Sequence, residues 1–323
     1  MHLRLCLVAI LCAALPGLVP NLSGAAPVRV ILDTDIGDDI DDALALALAL
    51  QSPELKVEAV ITVLQDGERR ADLAWRILEL FGRTEIPVGV GAELPLLAKS
   101  RTGVVRQTQA LAADYHMPKA RRNGLELLLS TCMQSTEKIT VLAYGPLTNI
   151  AIALRAEPRL ATKISRIVLM NGVFFRPGLE YNTKIDPEAS QIVYNSGIPV
   201  TTVGLDVTLQ CRLSADDLKK VAASPLPTAK FLYELIHIWQ NGNESQRPVL
   251  HDPLAVLVTI KPDLVNTVQG RVTVETRGTP DETYGLTTFH KDTAGPVQVA
   301  QEVSSSAAIG LFLERILATP RKL

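Results

Sequence analysis

The 323 residues, 47% of them hydrophobic, are ample for a sizeable core, and the charged fraction of 20% is that of an ordinary globular domain. A formal net charge of -2 without any basic run excludes an electrostatic footprint for nucleic acid or for an anionic membrane surface. Aromatics make up only 4%, so each one near a candidate site is informative.

Residues 1–25 read as a secretory signal. His2 and Arg4 form a short polar and basic start, residues 5–18 are apolar, and Ser23-Gly24-Ala25 is a small-x-small cleavage site. The alternative, an uncleaved membrane anchor, fits less well because the apolar run is short and carries Pro16, with Pro20 close behind. The mature chain then begins near Ala26, residues 26–323 form one domain, and the protein is expected to be secreted or periplasmic, with no membrane association after cleavage. Cys6 and Cys12 leave with the signal. Cys132 and Cys211 lack metal-ligand spacing and read as small buried hydrophobes, although an oxidising compartment would let them pair.

The chain is organised around an acidic stretch, Asp33-Thr34-Asp35-Ile36-Gly37-Asp38-Asp39-Ile40-Asp41-Asp42, between a mostly apolar run at 28–32 and an Ala/Leu run ending at Leu50. The order reads as strand, acidic turn, buried helix. The Ala/Leu run alternates with period two, but both residue types are strong helix formers and neither is β-branched. Two carboxylates about 4 Å apart repel by roughly 4 kcal/mol at an effective dielectric near 20. A hard cation relieves that repulsion, and a helix start favours the remaining negative charge.

Further along, strands are expected at 57–64, 86–90, 138–144, 164–170 and 199–205, and helices at 72–81, 123–133, 186–195 and 230–240. A helix runs from Gly145-Pro146-Leu147-Thr148-Asn149 through Arg155, with Thr148 or Asn149 available as cap, and His251-Asp252-Pro253 opens another. Residues 95–119 lack periodicity and read as a long surface excursion. The alternation implies an α/β fold, an open, mostly parallel twisted sheet with helices on both faces. Ligands in such folds sit beyond the carboxyl ends of the strands. Asp33, Asp35, Asp66, Tyr144, Asn171 and Asp206 all fall at those ends and are expected on one rim.

The Asp-x-Asp-x-Gly run followed by Asp-Asp-Ala at a helix start resembles the inosine-uridine nucleoside hydrolase family. Three more matches lie in the same order: Gly145-Pro146-Leu147-Thr148-Asn149, then Glu180-Tyr181-Asn182 with Asp186-Pro187-Glu188-Ala189, then His251-Asp252-Pro253. The resemblance runs from about Val28 to near the C-terminus. It implies a Rossmann-like core, bound Ca²⁺, and hydrolysis of the N-glycosidic bond of a ribonucleoside to ribose and free base. By position, Asp35 would bridge metal and attacking water and act as general base, with Asp42, Asp252 and the carbonyl of Tyr144 as the other ligands. Such an oxygen-rich set suits Ca²⁺. Glu180 and Asn182 would hold ribose hydroxyls, and His251 would sit near the leaving base as a catalytic residue. A homo-oligomer is implied only by the resemblance.

Several departures shape what is carried over. Asp38-Asp39-Ile40 makes the acidic stretch two residues longer than the usual pattern. Helix phase gives Asp42 to the metal and Asp41 to the ribose, whereas counting from Gly37 gives the ribose to Asp39. Gln65-Asp66 replaces a Gly-Asn pair, Met170-Asn171-Gly172 replaces Met-Gly-Gly, and residues 174–179 lack the Asn that helps hold the 5′-hydroxyl. Trp239 lies where the family places aromatics against the base, though a tryptophan on an amphipathic helix is also a common core residue. His116 and His237 are further candidates for the leaving-group acid. Asp206 reads as structural.

Three rival readings are separable. An EF-hand is excluded by the missing ligand at position twelve and by the strand context. A phosphatase with an aspartyl nucleophile would use Asp33 and Mg²⁺, but expects Thr or Val soon after the second Asp, where Ile36-Gly37 stands. A non-catalytic periplasmic binding protein would bind a nucleoside or sugar unchanged. On the same fold, the substrate could also be another N-ribosyl compound.

Overall fold

The chain enters its sheet at β1 (Val28–Thr34) and continues through α1 (Asp41–Gln51), β2 (Leu55–Thr62), α2 (Gly67–Leu80) and β3 (Val88–Val90). The computed structural model describes residues 26–97, 105–118, 122–280 and 282–321, so the expected signal at 1–25 and part of the excursion lie outside the described residues. A 3-10 turn at Arg106–Ala110 and a short β4 (Arg122–Asn123) lead to α3 (Gly124–Gln134), β5 (Ile139–Ala143), α4 (Thr148–Ala156) and α5 (Leu160–Lys163). Next come β6 (Ile164–Met170), α6 (Tyr181–Ile185), α7 (Pro187–Tyr194), β7 (Val200–Val203) and α8 (Leu205–Thr208). The chain closes with α9 (Ala215–Ala223), α10 (Pro227–Gln240), α11 (His251–Ile260), β8 (Val265–Val274), β9 (Thr287–Lys291), β10 (Val297–Val303) and α12 (Ser305–Ile316).

Among the described residues the strands form one sheet in the order β4-β3-β2-β1-β5-β6-β7-β10-β8-β9. Pairing is parallel from β4 to β7 and between β7 and β10, while β8 is antiparallel to both β10 and β9. The expected open, mostly parallel α/β sheet is therefore present. No expectation covered the antiparallel end. In β8 the buried residues are Val265, Gly270, Val272 and Val274, separated by solvent-facing polar positions, so one face is wet and the apolar signal is diluted.

Successive residues of a strand point to opposite faces, and two core layers follow from that alternation. Val30 and Leu32 join the layer beneath α1, α2, α10 and α11, whereas Ile31 joins the layer containing α3, α4 and α7. Every residue of α1 is buried. A helix buried all round needs no amphipathic stripe, which is why its Ala/Leu run shows period two instead of 3.6. The helix expected at 72–81 begins earlier, at Gly67, with Asp66 in a left-handed conformation ahead of it. Cys132 and Cys211 are buried free thiols, so the hydrophobe reading holds and the pairing does not. No helix among the described residues is long and apolar enough to cross a membrane.

Candidate active site

Consecutive strands run outward from β1 on one side and from β5 on the other, so the order reverses between these two neighbours. That reversal opens a crevice beyond their carboxyl ends. The alternation along β1 sorts its last residues. Asp33 points to the α4 layer and accepts a hydrogen bond from Asn149 Nδ2 at 2.8 Å. Thr34 points to the α1 layer and donates to Asp42 Oδ1 at 2.5 Å. Asp33 is fully buried, and burial pushes its carboxyl up to about 7 against the opposing effect of the Asn149 bond. Neither Thr148 nor Asn149 caps α4, contrary to the cap expectation. Thr148 donates instead to Asp186 Oδ2 at 2.6 Å, and Asn149 holds β1 against the Thr62 carbonyl at 3.0 Å. Gly145 is required by closeness, because a Cβ there would stand 2.9 Å from Asp35 Oδ1 and 2.6 Å from Val63 Cγ1.

The crevice is a cavity of about 590 Å³. Its acidic wall carries Asp35, Asp39, Asp41 and Asp42, joined by Tyr144 after β5 and Asp252 in the first turn of α11. Glu180 and Asn182 at the start of α6, Trp239 near the end of α10, and His251 complete the expected set. The ten residues given metal, catalytic or substrate roles by the resemblance all line this one cavity. Asp38, Met170, Leu179, Tyr181 and Leu205 line it as well.

The wider rim expectation needs correction. Asp33, Asp66, Asn171 and Asp206 do not line the cavity. Asn171 accepts a bond from the Tyr194 hydroxyl at 3.0 Å, and Asp206 accepts the backbone N–H groups of Phe174 and Phe175 at 2.7 and 3.0 Å. Their strand-end positions serve the frame, as the structural reading of Asp206 anticipated. His116 lies 3.2 Å from Asp72, and the ring of His237 sits edge-on to Tyr233 with centroids 4.5 Å apart. Neither histidine reaches the cavity wall.

Carboxylate oxygens of Asp41, Asp42 and Asp252 lie within 4.8 Å of one another. Asp35 is outside this grouping and Asp41 inside it, so the geometry adds Asp41 to the carboxylates able to share a cation. Asp252 N–H donates to Asp41 Oδ2 at 3.3 Å. The first turns of α1 and α11 supply all three residues, and helix N-termini favour negative charge. Burial, then repulsion from neighbouring carboxylates, Asp35 among them in each case, holds the three carboxyls well above their ordinary range. Asp35 is also pushed up to about 7, mainly by burial, with Arg70 opposing. Three buried carboxylates, all of them hard oxygen donors, fit a divalent cation.

The remaining walls are held by hydrogen bonds within the chain. Glu180 is committed to backbone amides, accepting from Asn182 at 2.7 Å, Thr183 at 2.9 Å and Gly172 at 3.1 Å. Asn182 Nδ2 donates to the carbonyls of Tyr144 at 2.9 Å and Met170 at 3.1 Å, which leaves its side-chain oxygen for the cavity. Asp39 accepts from Ile40 N–H at 2.7 Å and from the Trp239 indole, so it ties the aromatic wall to the acidic turn. His251 Nδ1 lies 2.7 Å from Thr208 Oγ1. Burial first, then Arg212, lowers the imidazole to about 4, which makes it a neutral hydrogen-bonding group at pH 7.

Two contributors were missed in the sequence. Gln107, from the excursion, donates from its backbone to Gly37 O at 3.1 Å and from its side chain to Asp39 O, clamping the acidic turn. No sequence pattern announces it. Arg70, on α2, also reaches this turn and is almost fully buried. Its signal was available: it stands three, four and seven residues before Leu73, Ala74 and Ile77, in phase with the buried stripe.

The family model for the inosine-uridine preferring nucleoside hydrolases matches residues 30–309. The chain belongs to that family. It is 34% identical over 310 residues to the pyrimidine-specific ribonucleoside hydrolase RihA of Salmonella gallinarum, covering 89% of this chain and 97% of that protein. Among solved structures, the plant nucleoside hydrolase PpNRh1 matches with a TM-score of 0.80 at 28% identity, over 91% of this chain and 100% of that one. The purine-preferring ribonucleoside hydrolase from Gardnerella vaginalis matches with a TM-score of 0.79 at 28% identity, over 90% and 98%. The chain is thus a nucleoside hydrolase, and cleavage of a ribonucleoside N-glycosidic bond is its chemistry. The acidic cluster suits the metal dependence of this family.

Proposed function

We propose that this nucleoside hydrolase uses Ca²⁺, held by Asp42, Asp252, the Tyr144 carbonyl and Asp35, with Asp41 close enough to share the charge. The observation that carries this reading is the buried grouping of Asp41, Asp42 and Asp252 beside Tyr144 and Asp35 in one cavity. When bound, the cation would lower the pKa of a water and offset the repulsion among these carboxylates. Asp35 takes the proton from the attacking water, whose oxygen forms the new bond to C1′ of the ribose. The N-glycosidic bond breaks with its electron pair leaving on the base. A carboxyl with a raised pKa is a competent proton acceptor near neutrality.

Asn182, through its free side-chain oxygen, accepts from a ribose hydroxyl, and either Asp39 or Asp41 accepts from another. Glu180 fixes the segment that presents Asn182 and, lining the same cavity, would accept from a ribose hydroxyl. Holding the ribose this way aligns C1′ with the water. His251, neutral and oriented by Thr208, offers an N–H to the leaving base, and Trp239 forms the flat wall against which that base stacks. Apolar residues 5–18 followed by Ser23-Gly24-Ala25 support export to a secreted or periplasmic location.

A ribose-release screen across purine and pyrimidine ribonucleosides, with and without chelator, tests the reading. The relatives' names include both base classes, so both belong in the screen. Release that stops on chelation and returns with Ca²⁺ is expected. Binding of nucleosides without release, or release indifferent to chelator, would sink it.

A further inference from the structure

The acidic turn carries a buried cation that the hydrolytic chemistry does not itself require. Arg70 is 1% exposed. Its Nε donates to the Gln65 carbonyl at 2.8 Å, and its Nη1 donates to the carbonyls of Asp35 and, at 2.9 Å, Ile36. Its Nη2 completes the set on Asp38 Oδ2 at 2.8 Å. The acceptors come from two loops, the turn after β1 and the turn after β2. Burying a charge costs several kcal/mol unless its hydrogen bonds are all met, and here an apolar side chain would fill the space more cheaply. A planar fork reaches separate acceptors at fixed angles, which a lysine ammonium does not reproduce.

We propose that Arg70 is a positioning residue for this hydrolase: by fastening the main chain at Asp35 and Ile36 to the neighbouring turn, it presents the Asp35 carboxylate in its working place before any cation binds. The inference rests on Asp35 as the base, as proposed above. Arg70 has no place on the cavity wall, so it acts through the turn and not on the substrate. Its loss should therefore fall on turnover and spare substrate affinity. It should also leave the carboxylates less organised and less compensated when no divalent cation is present.

The test uses the full chain with Arg70→Met and Arg70→Lys, measuring kcat and KM for a cleaved ribonucleoside in saturating Ca²⁺, and Tm in Ca²⁺ and in chelator. Misplacing a reacting group by about 1 Å costs on the order of 100-fold, so kcat of Arg70→Met should fall about 100-fold with KM within about threefold of wild type. Its Tm should drop more in chelator than in Ca²⁺. Arg70→Lys keeps the charge and loses the fork, so it should recover part of the chelator Tm without recovering kcat. Wild-type kcat in either variant would overturn the proposal. So would equal Tm losses in both conditions with activity falling only as the folded fraction falls, the pattern of a purely structural arginine. Should Arg70→Met fail to fold, Arg70→Lys decides alone, by whether its kcat falls while KM holds. Asp35→Asn run alongside separates the layers: an active Asp35→Asn removes the base reading, whereas an inactive one beside normal Arg70 variants removes only the role of Arg70.

Discussion

The side-chain amide of Asn182 donates to the main-chain carbonyl of Tyr144 at 2.9 Å, so the residue proposed to hold the sugar also steadies the carbonyl proposed to hold the cation. The same nitrogen reaches Met170 O at 3.1 Å, and both its hydrogens are spent on the frame. Substitution here should disturb two bindings at once. Asn182→Ala is expected to raise KM about tenfold, the worth of one hydrogen bond of about 1–2 kcal/mol, and to weaken Ca²⁺ binding by severalfold. Steady-state kinetics with calcium calorimetry reads both. A raised KM with untouched Ca²⁺ affinity would break the link between the two residues.

Chelated protein should lose stability as pH rises. Asp33 and Asp35 carry carboxyls raised from 3.8 to about 7, mainly by burial. Between about pH 4 and pH 7 the folded chain therefore keeps protons that the unfolded chain has released. Unfolding free energy then falls with pH, by about 1.4 kcal/mol per pH unit for each fully differential proton. Tm in chelator is expected to decline from pH 5 to pH 8, and Ca²⁺ should flatten that decline. A Tm that climbs over the same range in chelator would contradict the sign.

Much of this site was legible because its residues sit at strand ends and helix starts, which hydrophobic pattern locates well. Asp35, Tyr144, Asp252 and their neighbours needed only the strand order to be brought together. The same logic overreached at Asp66, Asn171 and Asp206, since a strand-end position fixes a backbone and says nothing about which way a short polar side chain turns. Arg70 was hidden by the opposite habit, the assumption that charges face water. Gln107 was hidden because loop-to-loop contacts have no period. The antiparallel end was missed because β8 buries only one face.

That antiparallel end bears on the site. In the loop between β8 and β9, the Tyr284 hydroxyl reaches both carboxylate oxygens of Glu188, at 2.9 and 2.7 Å, and Gly285 presses against the backbone of α6. Gly285 has φ +89°, and a Cβ there would lie 2.8 Å from Lys184 Cα and 2.8 Å from Thr183 O. Gly285→Val should cost about 1–3 kcal/mol of stability and, by displacing the helix that carries Asn182, raise KM. Denaturant unfolding and kinetics check the two halves. A stability loss with KM unmoved would show that the hairpin does not support the sugar pocket.

The thiols should be silent. Burial pushes Cys132 up to about 12 and Cys211 up to about 11, so neither forms appreciable thiolate at pH 8. An aromatic disulfide reagent is expected to label these two residues only after denaturation. Rapid labelling of either in the native protein would contradict their burial.

The most direct test of the account is the turnover of Asp35→Asn in saturating Ca²⁺. Removing a general base costs about 10²–10⁴-fold, so kcat for ribose release should fall by that factor while the protein stays folded. Turnover within a few-fold of wild type would show that another group takes the proton, and would contradict the role assigned to Asp35.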